Sequence, residues 1–342
     1  MADAFELNID KLTPYLQESI TGFQGPLSAE KFAGGQSNPT YLLTATSGRY
    51  VLRRKPPGEL LKSAHAVDRE FRVMKALADT AVPVPTMRVL CEDESVIGSM
   101  FYVMDFVEGR IFWNAALPEQ TATERGAIYD AMNQVLADLH SVDPAAVGLG
   151  DYGKPGNYFE RQLSRWTSQY RASETVHIPA MGNLMQWLEQ HKPADDGLVC
   201  INHGDFRLDN MMFRKTGTDV IALLDWELST LGHPYADLAY QCMQWRIPGD
   251  AAIPGLGDVD RRALGIPTEQ EYVQRYCERR GISGIDHWTF YIAFAFFRLS
   301  AILQGIQKRA IDGNASSDKA RAYGGLAKPL AEMGMALAEQ GA

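Results

Sequence analysis

The sequence has little cysteine, and what it has is scattered. Cys91, Cys200, Cys242 and Cys277 form no CxxC pair. That spacing argues against a zinc site and against a disulfide framework, so core thiols in a reducing compartment are expected, and with them a cytoplasmic location. Basic charge is also in short supply. Lys and Arg number 33 against 42 Asp and Glu, a net charge of −9. Non-specific nucleic-acid binding needs a basic surface, so no nucleic-acid partner is expected. An anionic substrate stays compatible, because a local basic pocket can sit inside an acidic protein. The most apolar stretch, Phe290 to Leu303, is shorter than a membrane span and carries Arg298, so a buried helix and no membrane partner are expected. The start, Met-Ala-Asp-Ala-Phe-Glu, lacks the basic and apolar segments of a signal peptide. There is no internal repeat and no low-complexity block. What remains is 342 residues, 46% apolar and 22% charged, an ordinary globular composition long enough for one large domain or two lobes.

The first hundred residues read as strand-rich. Tyr41 to Thr46 and Arg49 to Arg54 are short apolar runs split by Ser47-Gly48, a hairpin signal. Ser63 to Leu77 reads as a helix, with Val67, Phe71, Met74 and Leu77 at helical spacing. Val82-Pro83-Val84-Pro85 ends it, and Phe101 to Met104 is a strand closed by Glu108-Gly109. Beyond that point helices dominate: Thr123 to His140, and most of residues 157–192 and 268–310. Short strands are expected at Leu198–Ile201, Met211–Phe213 and Val220–Leu224, and a loop at 249–267. The pattern is α+β, a sheet-rich segment over 1–105 followed by a helix-rich one over 106–342.

Four stretches carry chemistry. Gly34, Gly35, Gln36 and Ser37 lie between two strands, where glycines let backbone N–H groups approach phosphates. Arg53 lies on the next strand. Glu70 falls inside the apolar stripe of the following helix, where a carboxylate needs a partner. A cation from the adjacent strand would supply it, with parity leaving Arg53 or Arg54 open. His203-Gly204-Asp205 is followed five residues on by Asn210, and Ile221 to Leu224 is an apolar strand ending in Asp225. Phosphoryl transfer needs a group that orients the acceptor hydroxyl and takes its proton, and oxygen ligands for Mg²⁺. Asp205 suits the first role, Asn210 and Asp225 the second.

These stretches, with Tyr50-Val51-Leu52-Arg53-Arg54-Lys55-Pro56-Pro57-Gly58, Leu224-Asp225-Trp226-Glu227 and Leu231-Gly232-His233-Pro234-Tyr235-Ala236-Asp237-Leu238-Ala239, resemble the aminoglycoside phosphotransferase and choline kinase group. The nearest likeness is to phosphotransferase domains related to the kinase-like part of multidomain acyl-CoA dehydrogenases. The resemblance covers about residues 20–310. It implies a bilobal protein-kinase-like fold with an N-terminal ATP-binding lobe at 1–105 and a catalytic and substrate lobe at 106–342. It implies Asp205 as the catalytic aspartate, Asn210 and Asp225 as magnesium ligands, and Arg53 paired with Glu70 where the family often has lysine. The Asp105 carbonyl and Val107 amide would hold adenine. The reaction implied is transfer of the ATP γ-phosphoryl group to a hydroxyl of a small molecule, of the hydroxyacyl-CoA or hydroxy-acid kind. The sequence departs from protein kinases: His-Gly-Asp replaces HRD, Asp225-Trp226-Glu227 replaces DFG, and GxGxxG and an Ala-Pro-Glu segment are absent. A protein substrate is therefore disfavoured.

Other residues have structural readings beside functional ones. His203 is expected to bond backbone near the loop, Asp237 to brace or cap, and His140 to meet the terminal carbonyls of its helix. Glu227 is a candidate for magnesium or substrate, and Arg161, Arg165 and Trp166 for an anionic or acyl substrate. Arg298 calls for a buried partner that the sequence does not name. Three other functions stand beside the small-molecule kinase: an aminoglycoside or amino-alcohol kinase, a nucleotide-binding pseudokinase, and a metal-dependent hydrolase using His203, Asp205, Asp225 and His233.

Overall fold

The structure is a computed structural model that describes residues 6–32, 38–56, 65–312 and 324–341. The chain divides into two compact units. One comprises Met1–Arg110, Met212–Lys215 and Val220–Ser229, and the other Ile111–Met211, Thr216–Asp219 and Thr230–Ala342.

The first unit is built on an antiparallel sheet in the order β1-β2-β3-β5-β4, with β1 Leu27–Lys31, β2 Thr40–Ala45, β3 Gly48–Arg54, β4 Met87–Cys91 and β5 Phe101–Asp105. The β2–β3 turn falls one residue earlier than the sequence suggests. Ala45 pairs with Gly48, so Thr46-Ser47 is the two-residue loop and Gly48 opens the strand at φ +143°. Alternation along β3 and β5 sorts side chains between two faces. Tyr50, Leu52, Phe101 and Val103 join Leu12 and Leu16 of helix α1 (Ile9–Ser19) in one apolar core. The opposite parity carries Arg53 and Tyr102 toward helix α2, Val67–Leu77. The N-terminal end of the expected helix, residues 63 and 64, lies outside the described residues. A short pair, β7 Met211–Phe213 with β8 Val220–Leu223, completes the strands that frame Asp225.

The second unit is mainly helical: α3 Ala122–Ser141, α4 Tyr158–Ser173, α5 Pro179–Gln190, α6 Pro234–Cys242, α7 Arg261–Leu264, α8 Glu269–Arg280, α9 Trp288–Ile311 and α10 Ala327–Gln340. The strands β6 Cys200–Asn202 and β9 Thr230–Gly232 pair antiparallel. Helices α3 and α8 each begin with a capping box, Thr121 with Glu124 and Thr268 with Glu271, which satisfies orphan N–H groups at both starts. The short α7 sits inside the stretch expected as loop. Helix α9 is long and apolar enough to cross a membrane by length and composition, yet 78% of its most apolar window is buried inside the protein. It packs against α4, α5, α6 and α10. All four cysteines are free and buried.

Candidate active site

In the first unit the question of strand parity has a clear answer. Arg53 Nε lies 3.0 Å from Glu70 Oε2, whereas Arg54 points to the other face and donates to Ser99 Oγ at 2.9 Å. Glu70 is 1% exposed. Its remaining oxygen capacity is taken by Asn38 Nδ2 at 2.9 Å and Tyr102 Oη at 3.1 Å, so the buried carboxylate has three partners. Burial pushes its pKa up, and Arg53, Tyr102 and Asn38 oppose that rise without cancelling it. Burial works against the charge on Arg53, but Glu70, Tyr102, Asp225 and Glu227 outweigh it and hold the guanidinium protonated. Arg53 Nη2 also reaches Asp225 Oδ1 at 2.8 Å and Glu227 Oε2 at 3.5 Å. Asp225 sits just after β8 at φ +64°, ψ +62°, a left-handed conformation uncommon outside glycine. Among the described residues its side chain bonds Arg53 through Oδ1.

The structure thus brings Arg53, Glu70, Asp225 and Glu227 together. Gly34, Gly35, Gln36 and Ser37 lie outside the described residues. In the segment after β5, the Asp105 side chain pairs with Arg88 at 2.6 Å and its N–H donates to the Thr86 carbonyl. The Val107 N–H has no hydrogen-bond partner among the described residues.

In the second unit, β6 delivers the chain to a tight loop at 203–210. The Asp237 carboxylate, 1% exposed, accepts from the backbone N–H of His203 at 2.6 Å and of Gly204 at 2.9 Å. Gly204 is at φ +85°, which a glycine adopts at little cost. Asp237 is therefore the loop's brace. His140 does not serve its own helix end. Its Nδ1 meets Tyr276 Oη at 2.7 Å, and its Nε2, which has no hydrogen-bond partner among the described residues, faces Asp237 Oδ2 at 3.6 Å. The Asp205 N–H donates to His203 Nδ1 at 3.2 Å, a structural use of that imidazole.

Asn210 Nδ2 donates twice to Asp205, to the carbonyl at 2.8 Å and to Oδ2 at 2.9 Å. Its own side-chain oxygen has no partner among the described residues. Arg207 Nε lies 3.2 Å from Asp205 Oδ1, and the nearby Tyr240 hydroxyl favours the ionised form of the same carboxylate. Desolvation raises the Asp205 pKa, but Arg207, His203, Tyr240 and Asn210 together hold it below the ordinary carboxylate range. Asp205 is an oriented, ionised carboxylate whose side chain is 20% exposed. Arg207 and Tyr240 were not singled out from sequence. Tyr240 lies one helical turn beyond Asp237, on the face that Asp237 already turns toward the loop.

The substrate candidates on α4 are not gathered into one group. Arg161 donates to the carbonyls of Lys154 at 2.5 Å and Pro155 at 3.4 Å, ahead of the helix. Trp166 is buried, with Arg165 and Arg298 at 5.5 and 5.6 Å from its ring centroid. The hydrolase reading loses its ligands: His203 accepts from the Asp205 backbone, and His233 spends Nε2 on Asp196 at 3.2 Å and Nδ1 on the Tyr235 N–H at 3.3 Å.

A model of the family described as phosphotransferase enzyme family matches residues 28–273. The chain is 50% identical over 326 residues to acyl-CoA dehydrogenase family member 10 of Mus musculus, covering 95% of this chain and 30% of that protein. It is 42% identical over 340 residues to acyl-CoA dehydrogenase family member 11 of Rattus norvegicus, covering 98% of this chain and 44% of that protein. It therefore spans less than half the length of these curated relatives. A crystal structure from Ralstonia eutropha JMP134, provisionally named an aminoglycoside phosphotransferase, is 51% identical with a TM-score of 0.90, covering 98% of this chain and 99% of that one. Aminoglycoside phosphotransferase APH(4)-Ia, in complex with ADP and hygromycin B, superposes with a TM-score of 0.63 at 12% identity, covering 97% of this chain and 99% of that one. At that identity the likeness speaks for the fold, and it agrees with the kinase-like α+β architecture expected from the sequence. The length of the family match and the close structural relative together establish that the chain belongs to the phosphotransferase enzyme family.

Proposed function

We propose that the protein transfers the γ-phosphoryl group of ATP to a hydroxyl of a small molecule, with Asp205 as the group that receives the hydroxyl proton. The observation that carries this reading is the state of Asp205: ionised, partly accessible, and fixed by Asn210 at 2.9 Å and Arg207 at 3.2 Å. A carboxylate so held aligns an acceptor oxygen and removes its proton as the new bond forms. Alignment of this kind is a large part of catalysis in phosphoryl transfer.

The residues present fit Mg²⁺. Each residue is proposed as a ligand on its own chemistry: among the described residues Asn210 bonds through its amide nitrogen and Asp225 through Oδ1. Both carry a hard oxygen donor, which suits that ion. Bound magnesium would neutralise charge on the transferring phosphoryl group. Nucleotide binding is proposed for Arg53, held by Glu70, and for Gly34, Gly35, Gln36 and Ser37. The Val107 N–H and the Asp105 carbonyl are proposed for the adenine edge. The free N–H at Val107 supports that assignment. Glu227, Arg161, Arg165 and Trp166 are proposed on the acceptor side, where Arg161 and Trp166 act through the packing of α4.

For the acceptor, the 50% identity to an acyl-CoA dehydrogenase family member over 95% of the chain favours a hydroxyacyl-CoA or related hydroxy acid. The experiment is ATP turnover with Mg²⁺ against a panel of hydroxy acids, hydroxyacyl-CoA thioesters, amino alcohols and aminoglycosides, with Asp205→Asn as control. Turnover undiminished in that variant would sink the mechanism. ATP·Mg²⁺ binding without transfer to any acceptor would favour the pseudokinase instead.

A further inference from the structure

Helix α9 buries a cation that forms no ion pair among the described residues. Arg298 is 7% exposed, in the middle of the buried apolar run of α9. Among the described residues its partners are one carbonyl and two aromatic rings. Nη2 donates to the Gly204 carbonyl at 2.5 Å. The guanidinium carbon lies 5.6 Å from the Trp166 ring centroid and 5.2 Å from that of Tyr240. A charge in a packed core without a carboxylate is unfavourable for stability. A leucine or methionine would fill this space with less penalty, so packing does not account for an arginine here.

What the guanidinium touches does account for it. Gly204 precedes Asp205 directly. Tyr240, the ring beneath the guanidinium, presents its hydroxyl to the Asp205 carboxylate and favours the charged form of that group. One planar cation therefore grips the loop backbone on one side of Asp205 and fixes the ring that holds its side chain on the other. Only arginine combines a directional donor with a flat face that stacks on two rings. Asp237 braces the loop by its N–H groups at His203 and Gly204, and Arg298 takes the Gly204 carbonyl, so the peptide groups on both sides of Gly204 are restrained.

We propose that Arg298 is a positioning residue of the phosphotransfer centre: clasped between Trp166 and Tyr240, it anchors the Gly204 carbonyl and, through Tyr240, orients the Asp205 carboxylate toward the acceptor hydroxyl. The inference rests on the phosphotransfer reading, and its test is arranged to fail separately from it.

The test uses Arg298→Met, Arg298→Lys and Tyr240→Phe in the full chain. Amide hydrogen exchange is read across residues 203–210 in the free protein. AMP-PNP·Mg²⁺ affinity is read by calorimetry. Turnover is read with ATP·Mg²⁺ and the best acceptor of the hydroxyl panel. In Arg298→Met, exchange at Gly204 and Asp205 is expected to speed about tenfold while α6 and α9 keep their protection. Its kcat should fall roughly 10- to 100-fold with nucleotide affinity within twofold. Arg298→Lys, which restores a donor and a cation but not the flat face, should recover only part of both. Tyr240→Phe keeps the ring, so loop exchange should stay at the wild-type rate while kcat falls about tenfold. Wild-type exchange at Gly204 and Asp205 in Arg298→Met overturns the inference without touching the phosphotransfer reading. Full turnover in Asp205→Asn overturns the reading itself. Should Arg298→Met fail to fold, Tyr240→Phe decides: wild-type kcat overturns the proposal, and the tenfold fall at unchanged nucleotide affinity supports it.

Discussion

Arg53 Nη2 lies 2.8 Å from Asp225 Oδ1, although 172 residues separate them in the chain. The same guanidinium meets Glu70 through Nε at 3.0 Å. One fork therefore ties the central strand of the sheet to α2 and to the end of β8. Lysine, a point charge, holds one carboxylate well but does not span two with separate donors. In the free protein this makes Arg53 the positive centre of three carboxylates, Glu70, Asp225 and Glu227.

The first prediction concerns that centre. Glu70 is buried, so Arg53→Met leaves a carboxylate without its cation. Loss of one partner from a buried pair costs about 3–5 kcal/mol. Because Arg53 is 13% exposed, the lower half of that range is expected in urea unfolding. Glu70→Gln in the Arg53→Met background should recover at least 1 kcal/mol, since the amide keeps bonds to Tyr102 and Asn38 without a buried charge. Strictly additive losses in that double-mutant cycle would show that the pair is not coupled.

How much of this was legible in the sequence varies residue by residue. Glu70 was, because a carboxylate inside the apolar stripe Val67, Phe71, Met74 and Leu77 demands a cation. Which arginine answers it was not, because Arg53 and Arg54 are adjacent and only the pairing register fixes their faces. Tyr102 carries the same parity as Arg53 through the pairing Arg53↔Tyr102, but sequence does not reveal which strands are neighbours. Asp205 and Asn210 were legible from type and spacing. Arg207 was hidden within the same motif, since a charged residue in a loop is ordinarily solvated. Tyr240 and Arg298 were hidden because they approach Asp205 from α6 and α9, elements brought to the loop by packing alone.

Gly109 shows a different limit. After a strand, Glu108-Gly109 reads as a turn, and any glycine serves a turn. In the structure the position is fixed by close approach: a Cβ there would fall on the Phe213 carbonyl oxygen and 2.5 Å from Met212 Cγ. The adjacent bridge, Arg110 N–H to Phe213 O and Phe213 N–H to Arg110 O, both at 2.8 Å, prevents the strands from parting. Gly109→Ala is expected to destabilise by about 2 kcal/mol through overpacking. An alanine variant with the wild-type urea midpoint would show that the backbone gives way freely.

A third prediction is one of pH. Burial lowers the pKa of His140 from its ordinary 6.5, with Asp237 opposing the fall, and burial lowers that of His233, with Asp196 opposing. Each folded imidazole therefore holds a proton less tightly than the unfolded chain does. Below about 6.5 the unfolded state takes up protons that the folded state refuses, so stability is full above that pH and falls beneath it. Between pH 7.5 and 5.5 both histidines should therefore lower stability. The depressed Asp205, Asp196 and Asp237 act in the same direction but only at more acid pH, since their contribution is lost as pH falls below the ordinary aspartate value of 3.8. Urea unfolding at the two pH values should show a smaller difference in His140→Gln than in the wild type. An equal difference would assign the acid loss elsewhere.

The last prediction separates the loop's brace from its chemistry. Asp237 accepts two backbone N–H groups and faces His140, all in a buried setting. Asp237→Ala leaves both N–H groups without a partner, at about 1–3 kcal/mol each. A loss of about 3 kcal/mol is expected, together with a fall in turnover, because the loop that carries Asp205 loosens. Asp237→Asn keeps the shape but presents one oxygen and one amide where two donors need acceptors, so one N–H stays unsatisfied and the loss should be about 2 kcal/mol. Asp205→Asn makes the opposite split. Its carboxylate faces Asn210, Arg207 and Tyr240 but braces no backbone amide of the loop, so turnover should vanish while the urea midpoint moves much less than in Asp237→Ala. The decisive comparison is the ratio of lost activity to lost stability in the two variants. Equal ratios would mean that Asp205, too, serves the fold, and the carboxylate's place in phosphoryl transfer would have to be given up.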